Sequence, residues 1–299
     1  MAYAKRGSSL FSLIVLGLTT ALLLSSCSTP ESENSSASTP QIEKNQQQWA
    51  MPLDEFIVDP TELGNYAEQL LMGKCLTKLG YQWDVPWQNI EFRSPANYNG
   101  IGLRLFDVEI AQKWGYHDAP KPDPESARRW EEFVDSTNSY ESGPTFEKKF
   151  SSCLRKVRDP RSLQVSDQAN YVMGLKSQAI DVANTKPAVR ESLKGWRKCL
   201  ADQYSFAVPA IPQDMPPKPL DKKFKSSGSV ASAEEIELAV ADAKCRDSSG
   251  WAAALYRAEW DAETTLVNEN RDKLDRIRTE AVAFRKKMLA VVAANAPQP

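Results

Sequence analysis

The chain has 299 residues, 37 Lys and Arg against 39 Asp and Glu, a formal net charge of −2, five cysteines and a single histidine. A balance so close to neutral supplies no basic field for nucleic acid or anionic lipid, and one histidine cannot build a histidine-rich metal set. Nineteen prolines and thirteen glycines fall mostly between apolar-periodic segments, as expected of short helices joined by turns.

Lys5 and Arg6 precede an apolar stretch from Leu10 to Leu24 that is too short to cross a bilayer comfortably and suits the core of an export signal. The following Leu24-Ser25-Ser26-Cys27 resembles the bacterial lipobox, which implies cleavage before Cys27 and acylation of its thiol. Residues 1–26 are therefore read as a lipoprotein leader, and Cys27 as the lipid attachment that holds the protein on the extracytoplasmic face of the cell membrane. Two or three acyl chains suffice for stable anchoring, since each buried methylene contributes roughly 0.8 kcal/mol. Loss of Lys5 and Arg6 takes the formal charge from −2 to −4. Residues 27–48, rich in Ser, Glu, Asn and Gln, lack the apolar surface to offset chain entropy and read as a disordered tether. As a coil it spans about 25 Å, and fully extended about 70 Å.

Residues 49–206 read as a first helical unit. Asp59-Pro60-Thr61-Glu62 has the form of an N-cap, a proline at the first helical position and a capping glutamate, ahead of an apolar face of Leu63, Tyr66, Ala67, Leu70, Leu71 and Cys75 that should end at Gly80. Residues 81–105 interleave Tyr81, Trp83, Trp87, Phe92 and Tyr98 with Pro, Asn and Gly, and read as irregular with short extended pieces. Asp107 should cap a short helix ending at Gly115, Asp123-Pro124 should start another, and Gly143-Pro144 should lead into the helix carrying Cys153. Val172, Leu175, Ala179 and Val182 mark a helix that Lys186-Pro187 interrupts, and Val189, Leu193, Trp196 and Leu200 mark the next.

Residues 207–231, with prolines at 209, 212, 216, 217 and 219 and then a Lys/Ser/Gly run, read as a linker or surface loop. In 232–299, Ser232-Ala233-Glu234-Glu235 fits a capping box for the helix of Cys245. From Trp251 to Val292 no proline or glycine interrupts the chain, so one helix on the order of 60 Å is expected. Its seam of Val267, Asn270, Leu274, Ile277, Ala281, Phe284, Met288 and Val291 alternates steps of three and four. That pattern suits packing within the chain as half of a helical hairpin, or a coiled coil with another chain. Glu259, Asp261 and Glu263 toward the start and Arg285, Lys286 and Lys287 near the end agree with the helix dipole.

Once Cys27 carries lipid, Cys75, Cys153, Cys199 and Cys245 remain, an even number that implies disulfides outside the cytosol. They allow three pairings, and no C-x-x-C spacing suggests a redox or haem motif. An internal similarity favours Cys75 with Cys153 and Cys199 with Cys245. KCLTKLGYQWDVP (74–86) and KCLADQYSFAVP (198–209) share Lys-Cys-Leu and Tyr-x-aromatic-x-Val-Pro, and each is followed by a later helical cysteine. The fold expected is mostly α: a disulfide-stabilised helical domain with a long C-terminal helix, built from two related helix-loop-helix units.

Cys75-Leu76 with Gly80-Tyr81, Asp107-Val108-Glu109-Ile110-Ala111 running to Gly115-Tyr116-His117, Trp196-x-x-Cys199-Leu200 and Ala241-x-Ala243-x-Cys245 together resemble a pattern of uncharacterised actinobacterial secreted lipoproteins. The resemblance covers most of the mature chain. It departs at Leu76 and Leu200, where those proteins usually carry Met. It brings no established activity; some members are encoded near export-type ABC transporters, which implies such a transporter as a partner.

Recognisable catalytic motifs are missing: no G-x-S-x-G, phosphate-binding glycine loop, H-E-x-x-H or calcium loop occurs. His117 beside Asp118 reads as a solvated loop histidine, because sequence neighbours seldom share a useful hydrogen bond. Trp83, Trp87, Trp114, Tyr116 and Trp130 form the best binding candidate, an aromatic set able to stack on wall sugars or grip a protein, while the same rings also suit a core. No cofactor, metal or catalytic residue is indicated. The expectation is a membrane-anchored envelope module that binds an envelope protein or peptidoglycan and no nucleic acid. Its alternative is a wall glycan or peptide hydrolase with two carboxylates across a cleft lined by Trp83 and Trp87.

Overall fold

The computed structural model describes residues 42–58, 61–91, 93–138, 143–226 and 228–299. The leader, Cys27, the tether up to residue 41, the Asp59-Pro60 cap and Phe92 lie outside the described residues. Among the described residues the domain is helical: α1 (Thr61–Thr77), α2 (Val108–Trp114), α3 (Pro124–Asn138), α4 (Pro144–Val157), α5 (Arg161–Thr185), α6 (Pro187–Ala201), α7 (Lys218–Ser226), α8 (Ala233–Ser248) and α9 (Trp251–Asn295). Short 3-10 turns cover Pro52–Phe56 and Pro212–Asp214, and the only β pairing among the described residues is two isolated bridges, Asn45 with Ala50 and Tyr98 with Arg104. None of these helices is long and apolar enough to cross a membrane.

The punctuation residues act as the sequence indicates. At the end of α1, Gly80 takes φ +87°, the Tyr81 N–H donates to Leu76 O and the Gly80 N–H to Thr77 O, closing a Schellman turn. Asp107 accepts from the Ile110 N–H at 2.8 Å to start α2, and Asp123 from the Ser126 N–H at 3.0 Å to start α3. Lys186, with extended backbone before Pro187, separates α5 from α6.

The 45-residue α9 is the spine. Antiparallel to it runs α5, with Gln164 and Gln168 donating to Glu280, the Tyr171 hydroxyl to Asn270 Oδ1, and Lys176 to Glu263. Leu53, Phe56, Val172, Leu175, Ala179, Leu266, Val267, Leu274 and Ile277 form the core between them, and Phe284, Met288 and Val292 continue it against Leu63, Ala67 and Leu70 of α1. The seam is thus buried within the chain. Full burial of each such side chain contributes about 1.5–3 kcal/mol, which explains why a helix this long sits in one place. The acidic residues expected to serve the α9 dipole do not: its first turn holds none, and Glu259 and Glu263 turn inward.

Disulfides join Cys75 to Cys153 and Cys199 to Cys245. Around each, matched residues of the two similar segments pack in matched ways. Met72, Leu76, Tyr81, Trp83 and Val85 gather about the first bridge, and Trp196, Leu200, Tyr204, Phe206 and Val208 about the second. The one-residue difference in spacing is absorbed by the turn: Tyr81 bonds back five residues to Leu76 O, Tyr204 only four to Leu200 O.

Three expectations are corrected. Residues 218–226, read as part of a linker, form α7, because Phe224 gives that stretch an apolar side chain to bury over the second bridge. The extended pieces expected in 81–105 amount to the single Tyr98–Arg104 bridge. The ordered domain also begins before residue 49: Asn45 to Ala50 close a turn, Asn99 Nδ2 donates to Gln48 O, and Lys44 lies 5.0 Å above the Trp260 ring.

Candidate functional site

The aromatic residues singled out from the sequence do not meet at one place. Trp83, 8% exposed, lies in a filled cluster with Phe133, Phe146 and Phe150, and its Nε1–H donates to Gln69 at 3.0 Å. Trp130 stands edge-on to Tyr66 at 6.1 Å between that cluster and the α1–α9 core. Trp87 is half-buried with the Arg129 guanidinium 6.0 Å from its ring, and Trp114 is half-buried on α2 with Lys113 over it. Tyr116 faces α8. Four of these five rings are therefore occupied with packing or cation contacts, and Tyr116 belongs to a polar network.

That network is what the sequence reading missed. Asp242 of α8, fully buried, accepts from Trp196 Nε1 (2.8 Å), Arg246 Nε (2.9 Å) and Nη2 (2.6 Å), and the Tyr116 hydroxyl (3.2 Å). Arg246 also donates to Pro212 O and lies 4.3 Å from the Phe106 ring, on which Tyr116 stacks. Burial, with Asp242 adding to it, pushes the Tyr116 hydroxyl far above the ordinary phenol range. The signal in the sequence was the four-residue spacing of Asp242 and Arg246 on the helix that carries Cys245.

His117 is likewise no solvated histidine. Its side chain is 16% exposed, with Nδ1 2.7 Å from Glu235 Oε1 and Nε2 3.0 Å from Gly228 O. Glu235 is fully buried and accepts the Tyr116 N–H at 2.7 Å; Oε2 has no hydrogen-bond partner among the described residues. The capping box is consequently half-formed: Ser232 caps the Glu235 N–H, while the Glu235 carboxylate turns away to α2. Gly115 permits this approach, since with φ +55° a Cβ there would stand 2.7 Å from Glu235 Oε1. These two acids tie α2 and the 228 turn to α8.

A second buried polar cluster holds the N-terminal segment on α9. Lys176 lies 2.7 Å from Asp54 and 3.0 Å from Glu263, Leu53 N–H donates to Glu263 at 2.8 Å, and Trp49 Nε1–H donates to Glu259 at 2.8 Å. Two carboxyl groups, of Asp54 and Glu263, thus share one ammonium, and Glu259 is held by the Trp49 indole instead. Burial pushes the Glu259 carboxyl up to about 7, with Glu263 adding to it against the Trp49 hydrogen bond and Lys176.

An open groove of about 1350 Å³ lies between α1, α3, α5, α9 and the irregular segment after Gln88. Tyr66, Trp130, Val165, Ala169, Val172 and Ile277 form an apolar floor, and Asn65, Asn89, Gln168, Arg93 and Arg285 stand among its polar lining. Met173, 52% exposed, adds an accessible apolar side chain. Neither Trp83 nor Trp87 lines it. Of its four carboxylates, Glu91 pairs with Arg93, Asp123 caps α3, Glu131 pairs with Lys121, and Glu62 stands exposed in the first turn of α1. Three of the four are engaged in structural bonds, so the groove suits contact with an apolar and amide-bearing surface better than paired-carboxylate chemistry. Among the described residues no group of three or more His, Cys, Asp or Glu could hold a metal. Comparison with protein-family models, with curated proteins and with solved structures gives no match to this chain.

Proposed function

We propose that this protein is a lipid-anchored module of the cell envelope that acts by binding. Fixed through Cys27 at the extracytoplasmic face, it presents a disulfide-stapled helical domain whose groove receives a partner: another envelope protein, with an ABC-type transporter among the candidates, or the cell wall. The observation that carries this reading is the joint presence of Leu24-Ser25-Ser26-Cys27 after an apolar leader and two bonded cysteine pairs downstream, since such bridges persist where thiols oxidise. Binding is favoured over hydrolysis because Trp83 is spent in the core and the groove's paired acids are already committed.

Two experiments test it. Cys27→Ala is expected to move the protein out of the membrane fraction, and unchanged retention would remove the lipid anchor. A photocrosslinking residue placed at Met173, in the groove, is expected to capture a discrete partner in cells, whereas the same residue at Leu163, 66% exposed and outside the groove, should not. Equal labelling from both positions would dismiss the groove as the binding site.

A further inference from the structure

The overall negative charge conceals a segregated basic face. On α4, Lys148, Lys149, Arg155 and Lys156 stand against one acid, Glu147, in the first turn. The neighbouring end of α1 carries Lys74 and Lys78. α1 and α4 run antiparallel: Tyr81 meets Phe146, Cys75 bonds Cys153, and Glu68 pairs with Arg158.

At about 3.6 residues per turn, Lys74 and Lys78 fall on one side of Cys75, and Met72 and Leu76 on the other. On α4, Lys149 and Lys156 fall on one side of Cys153, and Phe150 and Leu154 on the other. Because Met72, Leu76, Phe150 and Leu154 pack together beneath the bridge, the lysines of both helices share the opposite, solvent-facing side. Lys148 and Arg155, both exposed, extend that side around α4.

None of the six cations has a carboxylate at ion-pairing distance among the described residues. The arginines of α3 differ: Arg128 is held by Glu125 and Glu132, and Arg129 by Glu125. Leu79, 41% exposed, lies next to Lys78. Six cations without a carboxylate partner on one face, Lys149 among them lying 5.2 Å above the Tyr81 ring, match an anionic, laterally extended surface rather than a small ligand.

We propose that this α1–α4 face docks on anionic phospholipid headgroups. The proposal rests on the envelope reading only for where the protein meets such a surface; the attraction itself belongs to the folded domain. The tether would then serve to keep the domain within reach, while the basic face sets which side turns to the bilayer and leaves the groove, on the other side of α1, free for a partner.

The test uses the chain from residue 27 onward with Cys27→Ser, which has neither leader nor acyl chains and keeps every described element. Expected is cosedimentation with phosphatidylglycerol-containing vesicles at low salt, lost on pure phosphatidylcholine and suppressed at high salt. The variant Lys148→Glu/Lys149→Glu/Arg155→Glu/Lys156→Glu should bind at least about tenfold more weakly, each headgroup-facing cation being worth about 1 kcal/mol. Arg128→Glu/Arg129→Glu, on α3, should leave binding within about twofold of the parent, as expected of cations already paired. Peptide mapping of both bridges verifies that each variant is folded. Binding equal on both lipids, no binding, or equal losses in the two variants would overturn the proposal. Membrane release of Cys27→Ala in cells is read separately, so either result can fail without the other.

Discussion

Asp242→Ala is expected to cost about 3–5 kcal/mol of folding stability. The substitution leaves the Arg246 guanidinium, the Trp196 indole N–H and the Tyr116 hydroxyl without their shared acceptor in a buried place. An orphaned charge costs its full desolvation, far more than the net worth of the bonds it made. The nearby Cys199–Cys245 bridge keeps α6 and α8 together, so the loss should appear as a lower urea midpoint with the disulfide intact. Asp242→Ala/Arg246→Met, which removes both charges, should recover part of that loss. A change below about 1 kcal/mol in the single variant, or none on adding the second substitution, would show that the network does not act as a unit.

The second large effect is a fall in stability as pH rises from 5 to 8. Glu259 has its carboxyl raised from 4.5 to about 7 in the folded protein, so the folded state holds the proton more tightly than the unfolded chain. The associated stability is fully present below 4.5 and is lost as pH climbs through 7, amounting to at most about 3 kcal/mol. Glu263, raised mainly by its own burial, shifts stability in the same direction. Asp159 works oppositely: hydrogen bonds from Arg161 and Lys287 hold its carboxyl well below the usual range, so its contribution is present above 3.8 and fades in stronger acid. Greatest stability is therefore expected in mildly acidic solution. Denaturation of the parent and of Glu259→Gln across this range checks the assignment: the variant should lose most of the slope between pH 5 and 8. An identical slope would place the proton elsewhere.

The Glu259 cluster has a structural role that its position explains. Trp49, Leu53 and Asp54 hold the start of the domain on α5 and α9 through Glu259, Glu263 and Lys176.

What the sequence determined by itself is local and covalent. Asp107, Gly115, Gly143-Pro144 and Lys186-Pro187 set helix boundaries through φ restrictions and side-chain capping, which need only a few neighbours. The three-four spacing of Leu274, Ile277, Ala281 and Phe284 showed the buried stripe of α9, and the duplicated Lys-Cys-Leu segments pointed to the cysteine pairs. Tertiary structure alone decided the rest. Trp83 became core while Trp87 and Trp114 stayed near the surface, because burial depends on which helix crosses above a ring and not on the ring's identity. His117 found its carboxylate at Glu235, 118 residues away, instead of at adjacent Asp118. Glu259 and Glu263 left the helix dipole for Trp49, Leu53 and Lys176, since a segment some 210 positions earlier folds against them. Polar pairing inside a protein follows distance in space, and no periodicity along a chain encodes which distant group will supply the missing proton or charge.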